Sequence, residues 1–359
     1  MEAKVMVGAM DGSVKIEEIE LPPPMTHQVL IRLFASGICH SQLHELKRER
    51  SYPIFLGHEA TGCVIATGDS VHSVAPGDHV LVTWIPNLRL LGYRSPSYYR
   101  PALADGSIPQ YDQVFTWASH TIVDESFLVK MSDDVPTDVT SVVGCAVMTG
   151  AGAAIRTVRV GLSDSVAVFG VGGVGISTIS AARIAGAFPV IAVDIDWQKL
   201  DFAKRFGATH AINSAIDDPL DAISQIIKAK SGELHGCYGV DFAFDCIGLE
   251  KTISQALAVV RSGVPGLRRG GTAVLVGVPQ SSIKLDALQL LVGEKSFVGS
   301  LGGSSLPIED IQTYLGWLER GQLDLEAFVT ERYSLDQVGI ALSRLAEGQI
   351  IGRAIIELA

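Results

Sequence analysis

Cysteine is scarce. The 359 residues hold five, at positions 39, 63, 145, 237 and 246. An odd, scattered set of this kind builds no disulfide framework and points to a cytosolic chain with free thiols or metal ligands. Positive charge is short as well: 28 Lys and Arg against 39 Asp and Glu leave a net charge of −11. Phosphate contacts need a basic face, so nucleic acid and anionic membrane surfaces are poor partners. Every long apolar run is interrupted by glycine or charge, which predicts no transmembrane span. The opening stretch, MEAKVMVGAMDGSVKIEEIEL, has no basic segment leading into an apolar one. It predicts no secretory signal and a cytoplasmic protein. Neither an internal repeat nor a low-complexity segment is found.

The chain is 47% hydrophobic and 19% charged, which suits a globular protein with a large core. Its length exceeds what one core usually holds, so two domains are expected. Lys4–Val7, Val14–Leu21 and Gln28–Phe34 read as strands. Gly37 reads as a strand end, followed by a helical pattern to residue 47. Ala60–Thr67 is another strand, and the turn Pro76-Gly77-Asp78 feeds one more. Residues 84–118 hold Trp84, Tyr93, Tyr98, Tyr99, Tyr111, Phe115 and Trp117 with little periodicity, and read as a long surface loop held by its own aromatics. Residues 134–160 read as a helix. From 165 to about 299, strands SVAVF, PVIAVD, HAIN, VDFAFDC and TAVLVGV alternate with helices at 175–185, 197–206, 218–231 and 250–261. Alternation of this kind means an α/β fold with a doubly wound parallel sheet covered on both faces. Helices near 307–320 and 335–347 and a strand at 353–358 close the chain.

Within the alternating part, Gly170, Gly172 and Gly175 are spaced G-x-G-x-x-G between an apolar run and a helical one, and Asp194 ends the next apolar run. The turn Gly170, Gly172, Gly173, Val174, Gly175 fits a pyrophosphate cradle at a helix N-terminus. Asp194 lies where such a site needs an acid for the ribose hydroxyls. A carboxylate there repels a 2′-phosphate, which favours NAD over NADP.

Cys39, His58 and Cys145 stand out elsewhere, each beside glycine at an element boundary. Two thiolates and an imidazole suit Zn²⁺, and three protein ligands leave a fourth position open. Read singly, Cys145 is a small core residue and His58 a hydrogen-bonded turn histidine, and the spacing alone does not choose.

GICHSQLH, GHEATGCVIATG, GDHV, GCAVMTGAG and FGVGGVG, in this order, resemble the zinc-dependent alcohol dehydrogenases of the medium-chain dehydrogenase/reductase family over nearly the whole chain. The resemblance implies a GroES-like catalytic domain in two parts, 1–147 and 300–359, around a Rossmann NAD-binding domain at 148–299. It implies that Cys39, His58 and Cys145 bind one catalytic zinc, with Glu59 beside it. Ser41 and His44 match the proton relay and Trp84 a wall of the substrate pocket. Asp194 and Lys199 match ribose contacts, His40 and Arg353 groups near the pyrophosphate, and Val276 and Val278 the nicotinamide site. Relatives form homodimers or homotetramers, commonly by pairing strands around 274–301.

Two departures stand out. Residues 84–118 lack the four cysteines that hold a structural zinc in many relatives, so no such site is expected. Gln42 stands where the family usually has Asp, a partner of the zinc-bound histidine, which implies a less basic ligand. The expected reaction is reversible hydride transfer between an alcohol and NAD⁺, giving an aldehyde or ketone, in a cleft between the domains. A zinc-free reductase of quinones or enoyl groups, or a non-enzymatic NAD(H)-binding protein, is the alternative. The presence of Cys39, His58 and Cys145 together with Ser41 and His44 disfavours both.

Overall fold

The computed structural model describes residues 1–231, 238–279 and 281–358; Cys237 lies outside them. The chain divides into two compact units, Met1–Ala146 with Leu306–Ala359, and Val147–Ser305.

In the first unit the eleven-residue strand Gln28–Ile38 is the organiser. It lies in a seven-stranded sheet in the order Val329–Ser334, Arg353–Glu357, Gln28–Ile38, Ala60–Thr67, His79–Val82, Leu128–Lys130, with His120–Asp124 also paired to Gln28–Ile38. Its side chains alternate between two cores, as strand period requires. Val29, Ile31 and Leu33 join Val64, Val80, Val82 and Phe127, while Leu30 joins Val5, Val7, Phe55 and Phe115. Gly37 does not end this strand, which runs on to Ile38. A three-stranded sheet, Val14–Glu20, Glu2–Gly8 and Ile54–Phe55, completes the β structure of this unit.

The second unit is a six-stranded parallel sheet in the order His210–Asn213, Val190–Asp194, Val166–Phe169, Phe242–Asp245, Thr272–Leu275, Ser296–Gly299. The order reverses between Val166–Phe169 and Phe242–Asp245, the point where doubly wound sheets bind ligands. The last strand, Ser296–Gly299, and the helix before it, Ala287–Val292, carry weak sequence signals. The strand has four residues and none of them is fully buried.

Residues 134–160 do not form one helix. A 3-10 segment covers Val139–Gly144, the backbone breaks at Cys145 (φ −137°, ψ −66°), and Ala146–Gly152 and a π-helical Ala153–Thr157 follow. Side chains cause the break by taking backbone groups a helix would use. Thr83 Oγ1 donates to the Gly144 carbonyl at 2.7 Å, and Ala146 N donates to Glu59 Oε2 at 3.2 Å.

The stretch 84–118 is held by more than its aromatics. Tyr111 and Phe115 do pack against Phe55, with ring centroids 6.3 and 4.9 Å from it, and Trp117 is fully buried. Yet Tyr93 is fully exposed, and the first half is tied down by charge. Arg94 makes a two-pronged contact with the buried Asp124, at 2.6 and 3.1 Å, and Ser97 N donates to the same carboxylate at 2.8 Å. Burial raises the Asp124 carboxyl, but the Arg94 hydrogen bond and those from Ser97 and Ser126 outweigh it, so the group is held below its ordinary value.

A carboxyl held low in this way stabilises the fold above its ordinary titration range and loses that contribution as pH falls. Removing the partner leaves a buried charge uncompensated, at a cost of about 3 kcal/mol. Arg94→Met is therefore expected to lower the thermal unfolding midpoint at pH 7, with the deficit narrowing as the medium is acidified through the carboxylate range. A deficit that stays constant with pH would show that Asp124 is not the partner that matters.

Candidate metal and dinucleotide sites

Strand register builds the first site. Gln28–Ile38 pairs antiparallel with Ala60–Thr67 through Ser36 and Ala60, and with Arg353–Glu357 through Ile38 and Ala354. Extending both registers by a residue or two sets His58 and Glu59 on one side of the strand end and Arg353 on the other. Cys39 follows that end directly, as the residue preceding the helix His40–Lys47. Cys145 arrives from the broken segment, whose Gly144 is fastened to Thr83.

The result is one cluster. The ligand atoms of Cys39, His58 and Cys145 all lie within 4.8 Å of one another, and among the described residues no other group of three His, Cys, Asp or Glu is so disposed. His58 Nε2 is 3.2 Å from Cys145 Sγ. Two sulfurs and a nitrogen around tetrahedral zinc stand about 3.5–3.8 Å apart, given Zn–S near 2.3 Å and Zn–N near 2.0 Å. The donor set therefore fits that ion. Cys63 and Cys246 stand apart. Cys63 Sγ faces the Val64 carbonyl, and burial pushes the Cys246 thiol up.

Behind the cluster sits a fully buried carboxylate. Glu59 Oε1 accepts from Arg353 Nη2 and Oε2 accepts from Ala146 N. Gly37 makes room for it: a Cβ there would stand 2.3 Å from Glu59 Oε1. The pair sets the local electrostatics. Burial raises the Glu59 carboxyl against the pull of Arg353 and His58. Burial pulls His58 down, but its hydrogen bond and charge interaction with Cys39, with help from Glu59 and Glu45, bring the net shift up. Cys39 is held well down, first by the hydrogen bond with Cys145 and then by His58 and Arg353, while the same thiol contact and burial hold Cys145 well up.

Around it, the structure places the other residues singled out in this unit. The Ser41 hydroxyl and the Trp84 indole nitrogen are buried without a hydrogen-bond partner. His44 is half-buried on the same helix as the exposed His40. Arg353 Nε is likewise buried and unpartnered. The Glu59–Arg353 pair has no sequence signature, since its members stand 294 residues apart. Glu45, one helical turn from Gln42, carries no sequence signal for this region; its carboxylate accepts from Gln42 Nε2 at 3.2 Å.

In the second unit the glycine turn has the expected build. Gly170 takes φ +83°, and Gly172 precedes the helix Gly173–Ile184 with open space where a Cβ would be. A Cβ on Gly175 would stand 1.9 Å from the Gly170 carbonyl, so only glycine lets helix and strand approach. Val174 lies in the first turn of that helix, whose free N–H groups and dipole favour an anion. Asp194, half-buried, accepts from Val171 N at 2.9 Å and from Ile195 N at 2.7 Å. The acid thus ties the glycine turn to the end of the second strand. Lys199 is half-buried in the helix Trp197–Arg205. Val276 and Val278 lie beyond the end of Thr272–Leu275, Val276 N donating to the Asp245 carbonyl at 2.9 Å and Val278 exposed.

Arg353→Met strands the Glu59 charge in the interior, at a cost of about 3 kcal/mol. The thermal unfolding midpoint of the metal-free protein should fall by roughly 5–10 °C, and Glu59→Gln added to it should recover part of the loss. An Arg353→Met protein as stable as the parent would show that the pair does not hold this region together.

The alcohol dehydrogenase GroES-like domain family matches residues 25–133, and the zinc-binding dehydrogenase family matches residues 173–320. An S-(hydroxymethyl)glutathione dehydrogenase of Escherichia coli is 32% identical over 98% of each chain. A class-3 alcohol dehydrogenase of Cereibacter sphaeroides is 28% identical, covering 99% of this chain and all of its own. Among solved structures, benzyl alcohol dehydrogenase from Acinetobacter calcoaceticus superposes with a TM-score of 0.86 at 28% identity, both chains covered in full. With a three-ligand cluster in one unit, a dinucleotide turn in the other and relatives matching from end to end, the chain belongs to the zinc-dependent alcohol dehydrogenases of the medium-chain dehydrogenase/reductase family, oxidoreductases that work with NAD.

Proposed function

We propose that Cys39, His58 and Cys145 hold the zinc with which this chain exchanges a hydride between an alcohol and NAD, giving an aldehyde or ketone. The observation that carries the assignment is the convergence of the three ligand atoms within 4.8 Å. When bound, zinc supplies a Lewis acid that lowers the pKa of a hydroxyl or polarises a carbonyl, and NAD supplies the hydride acceptor.

The chain's own residues manage the proton and the fit. Ser41, with a buried hydroxyl free of partners, accepts the substrate's proton and passes its own on towards the cofactor ribose and the half-buried His44. Trp84 walls the substrate pocket. Glu59 keeps a carboxylate beside the ligands. Gly170, Gly172, Gly173, Val174 and Gly175 cradle the pyrophosphate, Asp194 and Lys199 take the ribose, and Val276 and Val278 flank the nicotinamide ring. His40 and Arg353 serve the pyrophosphate. The unit Met1–Ala146 with Leu306–Ala359 is then the catalytic one, and Val147–Ser305 binds NAD.

The protein works in the cytoplasm; among the described residues no helix is long and apolar enough to cross a membrane. It assembles as a homodimer or homotetramer. The exposed side chains Leu288, Leu291, Val292 and Leu301 flank the edge strand Ser296–Gly299 in sequence and would be covered by a second copy.

The test is NAD⁺ reduction over a varied panel of primary, secondary and aromatic alcohols. The parent should turn over members of the panel, and Cys39→Ser and His58→Ala should lower kcat at least 10³-fold, about 4 kcal/mol in barrier, while NADH still binds. Full turnover in either variant would refute the ligand assignment.

A further inference from the structure

The inference rests on the reading that a substrate hydroxyl sits at the metal cluster, and it concerns the rest of that substrate. Two stretches of the first unit lead up to the cluster. The helix His40–Lys47 begins directly after Cys39. The segment 110–117 runs beside 53–56, the approach to His58. Gln110 N donates to the Pro53 carbonyl and Phe55 N to the Gln110 carbonyl, both at 2.9 Å, while Thr116 N and Trp117 N donate to the Leu56 carbonyl at 3.1 and 3.0 Å. Each stretch brings a carboxylate. Glu45 stands six positions after Cys39, about 9 Å along a helix axis, and is half-buried. Asp112 lies between the two anchored ends of its segment, exposed between the buried Tyr111 and Val114.

The two acids interact. Burial raises the Glu45 carboxyl, the charge of His58 and the Gln42 hydrogen bond oppose that, and the charges of Asp112 and Cys39 raise it again. Glu45 thus feels both Asp112 and the metal cluster. Neither carboxylate makes an ion pair with Lys or Arg among the described residues. Arg50, which reaches the end of the helix, is spent on the carbonyls of Glu45 and Leu46. Gln42 adds a third acceptor. It is 1% exposed, and its amide nitrogen donates to Glu45 Oε2 at 3.2 Å. A carboxylate accepts only from that end of an amide. The other end, Gln42 Oε1, is buried beside the carboxylate and has no donor, a costly state for a buried acceptor. What completes such a set is a cation with several N–H bonds, and an ammonium has three. A bare metal ion needs more ligands, and among the described residues the one group of three His, Cys, Asp or Glu is the cluster itself.

We propose that the substrate is an amino alcohol. Its hydroxyl goes to the metal cluster, and its ammonium is received by Glu45 and the Gln42 carbonyl oxygen, with Asp112 drawing it in. Glu45, Gln42 and Asp112 then set specificity and take no part in the hydride or proton steps. A net charge of −11 favours the approach of such a cation.

The probes are aminobutanol, aminopentanol and aminohexanol, with the amine at the far end of the chain from the hydroxyl. Each is paired with the alkanol that carries a methyl group in place of the ammonium. The readout is the ratio of kcat/KM within each pair, so that a general loss of activity or stability cancels. The zinc-replete parent should prefer at least one amino alcohol by about tenfold or more, chiefly through KM. Glu45→Gln keeps the shape, removes the charge and should erase that preference. Asp112→Asn changes an exposed side chain and leaves the core alone, and it should shrink the preference about two- to fivefold. A parent that oxidises the alkanols as well as their amino partners would overturn this proposal and leave the dehydrogenase reading standing. A preference that survives undiminished in both variants would also overturn it. A parent that turns over no alcohol at all would instead sink the reading beneath it.

Discussion

A fully buried carboxylate is the constraint on which the first unit turns. Glu59 cannot stay ionised in the interior without a counter-charge and a donor to each oxygen. The answers come from far apart in the chain: Arg353 from the last strand and Ala146 N from a broken helix. Gly37 is needed only because the carboxylate fills the space its Cβ would occupy. Each of these neighbours adjoins a residue of the metal cluster. Arg353 is opposite Cys39, Ala146 follows Cys145, and Glu59 follows His58. Satisfying one buried charge thus brings Cys39, His58 and Cys145 from three segments to one place.

The two units solve their problems differently. The nucleotide turn is local, with strand, glycines, helix and acid inside one βαβ stretch, and its geometry follows from what glycine permits. The metal cluster is non-local and depends on the register of Gln28–Ile38 with both neighbours. A one-residue slip would turn the buried faces of that strand inside out. Its alternating Val29, Ile31 and Leu33 against Leu30 are what prevent the slip. The hydrophobic pattern of the strand therefore guards the chemistry at its end.

This contrast explains what could be read in advance. The parallel sheet and the glycine turn were legible because periodicity and spacing encode them directly, and the grouping of Cys39, His58 and Cys145 because GHE and GIC sit in recognisable surroundings. The break at Cys145 was not, since the Ala- and Gly-rich stretch has good helical signals and is overruled by hydrogen bonds from Thr83 and to Glu59. The edge strand Ser296–Gly299 was missed because it is short and only partly covered. Nor could composition tell that Arg94 reaches Asp124, thirty residues on. Aromatic content pointed to packing in 84–118 and gave no hint of the ion pair. Pairs such as Glu59 with Arg353 exist only once the strands are in register.

All of this converges on a single ion at a single place. Metal analysis of the purified, zinc-replete protein tests it most directly. About one zinc per chain is expected, falling to none in Cys39→Ser. A protein without zinc, or one that keeps its zinc when Cys39 is replaced, would contradict the assignment.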